Sequence, residues 1–176
     1  MFQKPLLLVM LALAVAEPRA YAHDDAEQRE AQFKAAYLFN FVKFVEWPPP
    51  LAADSLTICF VGGRRVFAAL STDIGNKRVG ARRLVVKQLD HVASIDNCNA
   101  LYVDAAAAGN FRPEASLPIL TVSDAEQFAA SGGMIELFTD NRRLRFLINI
   151  DNAQRAGLRI SSDLLKLAAD VQRAPR

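Results

Sequence analysis

The run LTICFVGG, residues Leu56–Gly63, decides the fold. Leu56–Val61 is short, apolar, and rich in β-branched and aromatic side chains, which is how a strand buried on both faces reads. Gly62-Gly63 ends it in a turn. Arg64–Leu70 then suits a helix, and Arg82–Lys87, built around Leu84-Val85-Val86, supplies the next strand. Leu101–Val103 and Ile119–Val122 are further short apolar strands. Strands of this kind separated by helical stretches specify an α/β fold with a largely parallel sheet covered by helices.

Ahead of this unit lies KAAYLFNFVKFVEWP, Lys34–Pro48, preceded by the polar stretch His23–Gln32. At about 100° per residue it reads as a helix with Phe33, Phe44, Tyr37 and Phe41 on one stripe. Val45, Leu38 and Val42 widen the stripe to about half the circumference, more than the stripe of about 100° that an ordinary surface helix needs. Pro48, Pro49 and Pro50 end the helix, because proline lacks the amide and restricts the residue before it. Phe33, Tyr37, Phe41 and Phe44 are the expected core residues. Phe39 on the far side, with Lys43 and Trp47, is the candidate partner or dimer surface.

Ser123-Asp124-Ala125-Glu126 fits a capping box and predicts a helix over Asp124–Ala130, stopped by Gly132-Gly133. Met134–Phe138 and Arg143–Ile150 read as an antiparallel hairpin joined by Thr139–Arg142. In its second strand Leu144, Phe146, Ile148 and Ile150 alternate with Arg143, Arg145, Leu147 and Asn149, giving one core face and one mostly polar face. A short helix at Asp151–Gln154 with Gly157 as its stop, a strand at Leu158–Ile160, and a terminal helix opened by Ser162-Asp163 complete the reading. In that last helix Leu164, Leu167, Ala168 and Val171 would share a face. The expectation is one α/β domain: a largely parallel central sheet covered by helices, with an antiparallel C-terminal hairpin.

At the start, Lys4 precedes the apolar run Pro5–Ala16, which is shorter than the roughly 20 residues a membrane span needs. Ala20-Tyr21-Ala22 then offers a small-x-small cleavage pattern. Residues 1–22 are expected to be a cleaved secretory signal and 23–176 a single domain outside the cytoplasm, with no membrane insertion of the mature chain. The net charge of +2 is no nucleic-acid signature, since duplex binders concentrate basic charge. The two cysteines, Cys59 and Cys98, favour a disulfide in an exported chain, which the chain-entropy model would value at roughly 4 kcal/mol. A catalytic thiol is the competing reading, opposed by the apolar setting of Cys59.

Catalytic groups are sparse. Of the two histidines, His23 sits at the expected mature terminus and His91 stands alone; no HExxH, Cys/His cluster or GxSxG is present, so no catalytic residue, metal or cofactor is expected. Gly62-Gly63-Arg64-Arg65 joins a strand end, free amides and positive charge, a geometry that can hold an anion through Arg64 and Arg65. It lacks GxGxxG and the Walker lysine, and a plain βα turn with solvated arginines explains it as well. Arg143, Arg145 and Arg159 form a second candidate, able to grip an acidic partner if alternation gathers them near Glu136 or Asn149. Ordinary cross-strand pairing, at a few tenths of a kcal/mol, is the plainer account.

KAAYLFNFVKFVEWP, ILTVSD from Ile119, FAASGGMI from Phe128, and RLRFLIN through LRISSDLLKLA over Arg143–Ala168 together resemble the YfiR/HmsC-like family of bacterial periplasmic regulators. The resemblance covers nearly the whole mature chain. Cys59 and Cys98 match the positions at which such proteins carry a disulfide; a second cysteine pair found in some relatives is missing. The resemblance implies a non-enzymatic repressor that contacts the periplasmic domain of an inner-membrane diguanylate cyclase, lowering cyclic di-GMP and with it biofilm and exopolysaccharide. It implies as well an outer-membrane lipoprotein with an OmpA-like domain that sequesters the repressor. Surplus apolar surface on the first helix, with the resemblance, leads us to expect a homodimer. The alternative is a periplasmic small-ligand sensor that modulates a membrane-bound signalling partner.

Overall fold

Strand β2, Ser55–Val61, lies inside an eight-stranded sheet with a strand paired on either side, as its unbroken apolar sequence requires. The structure is a computed structural model describing residues 19–49, 54–74, 77–91, 95, 97–112 and 117–173; most of the expected leader, 1–18, lies outside them. The chain begins with helix α1 (Arg19–Lys43) and strand β1 (Val45–Glu46), and β2 is followed by α2 (Arg64–Ile74), β3 (Arg78–Val79) and β4 (Arg82–Leu89). Then come β5 (Ala100–Val103), α3 (Ala105–Ala108), β6 (Leu120–Ser123), β7 (Ile135–Asp140) and β8 (Arg143–Asn149). Helix α4 (Ile150–Arg155), β9 (Arg159–Ile160), α5 (Ser162–Leu167) and β10 (Asp170–Gln172) close the chain.

The large sheet runs β10-β8-β7-β6-β5-β2-β4-β3. Strands β4, β2, β5, β6 and β7 are mutually parallel, β7 and β8 form the expected antiparallel hairpin, and β10 runs parallel to β8. The hairpin turn is tighter than Thr139–Arg142: Asn141 and Arg142 alone make it, with φ of 49° and 61°. Two left-handed central residues give the turn whose twist matches a hairpin.

One face of the sheet packs against α1 and α2 through Leu56, Ile58, Phe60, Leu84, Ala100, Tyr102, Leu120 and Val122. The buried line of α1 is Ala31, Ala35, Leu38, Phe41 and Val42, continued by Val45 of β1. This corrects the expected core: Phe33 is 61% exposed, and Tyr37 and Phe44 are only partly buried. The alanines are the reason. They let the helix approach the sheet closely, and this turns the buried axis roughly 100° from the aromatic stripe. Tyr37, Phe41 and Phe146 still meet, with Phe41 and Phe146 centroids 4.9 Å apart, edge to face. On the opposite face Cys59, Val61, Cys98, Leu101, Val103, Phe111, Ile119 and Phe128 form a second cluster. It contains the Cys59–Cys98 disulfide, with Cα atoms 5.8 Å apart, within the normal bridging range.

Two expected helices take other forms. Ala125–Gly132 is a series of turns, in which Gln127 adopts φ of 59°. Ser123 accepts from the Ala125 amide, but Glu126 is exposed; it is Glu136 whose carboxylate enters the segment, accepting from the Gln127 and Ala129 amides at 3.2 and 3.1 Å. At the C-terminus, α5 stops at Leu167, which is 69% exposed, whereas Leu164 is 2% exposed. The Ala169 amide donates to the Phe146 carbonyl, and β10 covers what would otherwise be an unpaired edge of β8. Strand β9 joins β1 in a separate antiparallel ribbon, with Val45 opposite Ile160 and Glu46 opposite Arg159.

Candidate functional site

From β2 the chain goes to β4 on one side and then returns to β5 on the other, so the switch point of the parallel sheet lies between β2 and β5. Open α/β sheets bind ligands in the crevice outside the strand carboxyl ends at such a point. Here the crevice is open, about 440 Å³, and lined by Gly62, Gly63, Arg64, Arg65, Val66, Tyr102, Asp104 and Asp124.

Gly62 and Gly63 have φ of 71° and 57°, which a side chain disfavours. A Cβ on Gly62 would strike the Asp104 carboxylate, and one on Gly63 the Tyr102 ring. The glycines thus permit a close approach, and its occupant is the protein's own carboxylate. Gly63 donates its amide to Asp104 Oδ2 at 2.7 Å, while Asp104 Oδ1 accepts from Ala107 and caps α3. Arg65 is held by Asp24 and Glu27 of α1, at 2.6 and 3.1 Å. Arg64 is exposed at the first position of α2.

Beneath this lies a polar network that the sequence reading passed over. Lys34 Nζ, its side chain 13% exposed, lies 2.5 Å from Asp124 Oδ2 and 2.7 Å from Glu30. Asp124 Oδ1 accepts from the Ala105 amide, and its carboxylate meets the Tyr102 hydroxyl. Burial by itself would lower the pKa of Lys34; hydrogen bonds and attraction from Asp124 and Glu30 outweigh it and raise it. Burial pushes the Tyr102 phenol well above its ordinary range, and the Asp124 and Asp104 charges add to the rise. An aspartate directly after an apolar strand, as in Val103-Asp104 before four alanines, was the available signal for the cap.

The arginine candidates divide. Arg143 and Arg145 share one face of β8; Arg145 pairs with Asp140 at 2.9 Å, and Arg143 lies opposite Asp140 in register. Arg159 is in the β1–β9 ribbon, 3.8 Å from Glu46. Glu136 is committed to the turns, and Asn149 caps α4 while donating to the Ala129 carbonyl.

At the amino ends of the parallel strands, Phe39 and Trp47 are partly buried on their core sides. Lys43 and Lys77 place their ammonium groups 5.3 and 4.8 Å from the Phe39 centroid. Trp47 donates its indole NH to the Asn99 carbonyl at 3.0 Å, and the Arg82 guanidinium lies 5.6 Å from its ring. Lys77 and Arg82 come from a hairpin remote in sequence, so the reading that singled out Phe39, Lys43 and Trp47 missed them.

A family model described as YfiR/HmsC-like matches residues 31–169. Among solved structures, the chain is similar to a conserved domain protein from Vibrio cholerae O1 biovar eltor, with TM-score 0.48, 11% identity and 81% of this chain covered. It is also similar to the ABC domain in complex with L-Trp from Streptococcus pneumonia, with TM-score 0.44, 11% identity and 81% coverage. The chain spans 60% of the length of each of these two structures.

Proposed function

The chain belongs to the YfiR/HmsC-like family of periplasmic regulators, and on that premise we propose that it represses an inner-membrane diguanylate cyclase by contacting the enzyme's periplasmic domain. The output is lower cyclic di-GMP and less biofilm and exopolysaccharide. The family match over residues 31–169 carries this reading. The committed state of the crevice supports a role by contact rather than catalysis: Asp104, Asp124, Lys34 and Arg65 each hold another part of the fold. We take residues 1–22 as a cleaved leader and 23–176 as the regulatory domain, active as a homodimer and open to sequestration by an OmpA-like outer-membrane lipoprotein.

Repression requires that the protein bind the inactive cyclase state more tightly than the active one, since equal affinity shifts nothing. Deleting the gene should raise cyclic di-GMP, and restoring it should lower it again. Unchanged levels in a strain that normally expresses the protein would overturn the proposal. A second reading, a small-ligand sensor acting on a membrane partner, is favoured by the open crevice at the switch point. A thermal-shift screen of amino acids, nucleotides and vitamins tests it, and no hit counts against it.

A further inference from the structure

We propose that the rim formed by Phe39, Lys43, Trp47, Lys77 and Arg82 is a docking surface for a short carboxylate-rich segment of a protein partner. The stretch Lys77–Arg83, KRVGARR, carries four cations and no acid. The fold brings it against α1. The Leu84 amide donates to the Lys77 carbonyl at 3.1 Å, and Arg82 stands two positions before Leu84 on the same face of β4. The Lys77–Phe39 and Arg82–Trp47 stacks are therefore neighbours on the helix-covered side of the sheet.

The charge on this rim is under-compensated. Lys34, Arg65, Arg145, Arg159 and Lys166 each have a carboxylate partner. Lys43 and Arg82 have ring contacts and, among the described residues, no ion pair. Lys77 is shared between Phe39 and Asp73 of α2. A ring under a cation restricts where that cation sits, so less side-chain freedom is lost when an anion engages it. Ammonium and guanidinium donors then remain for carboxylate oxygens.

The carboxylates around the rim favour a peptide over a membrane. Glu46 adjoins Trp47, Asp73 binds Lys77, and Asp54 sits where its carbonyl accepts from the Arg83 amide. A continuous anionic surface would meet these carboxylates, whereas a short acidic segment can lie between them. The partner's identity rests on the repressor reading above; the chemistry of the surface does not.

The test uses the mature chain and a short fluorescein-labelled glutamate-rich peptide, followed by fluorescence anisotropy at low and physiological salt. Binding should weaken as salt rises. It should fall about tenfold or more in Lys43→Glu/Arg82→Glu and by a smaller factor in Lys43→Gln/Arg82→Gln. The equally charged control Lys87→Glu/Lys166→Glu should bind like wild type, and thermal unfolding should show each variant folded. Equal binding of a glutamine-for-glutamate peptide, undiminished binding by the folded rim variants, or binding to phosphatidylglycerol vesicles without peptide binding would each overturn the proposal. Peptide binding with cyclic di-GMP unchanged on gene deletion sinks the cyclase reading and leaves the surface. A rise in cyclic di-GMP without peptide binding sinks the surface alone.

Discussion

Lys34 and Asp124 are 90 positions apart in sequence, yet the ammonium and carboxylate lie 2.5 Å apart. This pair fastens the middle of α1 to the carboxyl end of β6, and through the Ala105 amide to the start of α3. It fixes the rotation of α1 at one end of the sheet, as Trp47 and Asn99 fix the chain beyond it at the other.

Lys34→Met should therefore destabilise the fold. Removing one member of a fully buried pair costs about 3–5 kcal/mol, and an exposed pair contributes under about 1 kcal/mol. Glu30 is half exposed and Asp124 keeps the Ala105 amide, so the expected loss is about 2 kcal/mol. Urea unfolding at neutral pH measures it; a loss below about 0.5 kcal/mol would mean that the pair does not hold the helix.

The same network sets an alkaline limit. The Tyr102 phenol is raised above the ordinary value of 10.0 and the Lys34 ammonium above 10.5. Both groups thus keep protons in the native state that they lose in the unfolded chain. Their stabilisation is complete below those ordinary values and is lost as pH rises above them, with a slope of at most about 1.4 kcal/mol per pH unit for each group. Tyr102→Phe removes one of these titrations, so its stability between pH 10 and 11, about 1 kcal/mol of change, should fall less steeply than that of wild type. Parallel slopes would show that the Tyr102 phenol ionises as readily folded as unfolded.

The Cys59–Cys98 bridge joins β2 to the segment just before β5. Cys59→Ala/Cys98→Ala should lower stability by about 3–4 kcal/mol on the chain-entropy account. Periplasmic material alkylated without reductant should show no mass increase, and two added groups would refute the pairing in the exported protein.

Strands β2, β5 and β6 were legible because each is a run of apolar residues ended by a turn or cap, and Leu56–Val61 was found to within one residue; the short polar strands β1, β3 and β10 were not read. The Asp124–Ala130 helix was misread because its local capping signal loses to a distant group. Glu136 reaches in from β7 and takes the Gln127 and Ala129 amides. The terminal helix failed for a similar reason, since the unpaired edge of β8 recruits residues 170–172. Arg64 and Arg65 were visible as a motif, but the Asp104 carboxylate over the glycine amide is a product of β5 lying beside β2, which local sequence does not encode.

Phe33 and Phe41 provide the sharpest test of how α1 is turned. Both lie on the aromatic stripe, yet Phe41 is fully buried against Phe146 and Phe33 is exposed. Phe41→Ala should cost about 3–5 kcal/mol, whereas Phe33→Lys should leave monomer stability within about 0.5 kcal/mol. The outward stripe also supports the proposed homodimer, because an exposed phenylalanine beside the partly buried Tyr37 and Phe44 gains by being covered. If two copies pair through it, Phe33→Lys should shift the mass by light scattering from dimer to monomer without moving the urea midpoint measured at concentrations where wild type is monomeric. An unfolded Phe33→Lys monomer, as destabilised as Phe41→Ala, would place the buried face on the aromatic stripe instead, and would reverse the rotation that Ala31 and Ala35 impose.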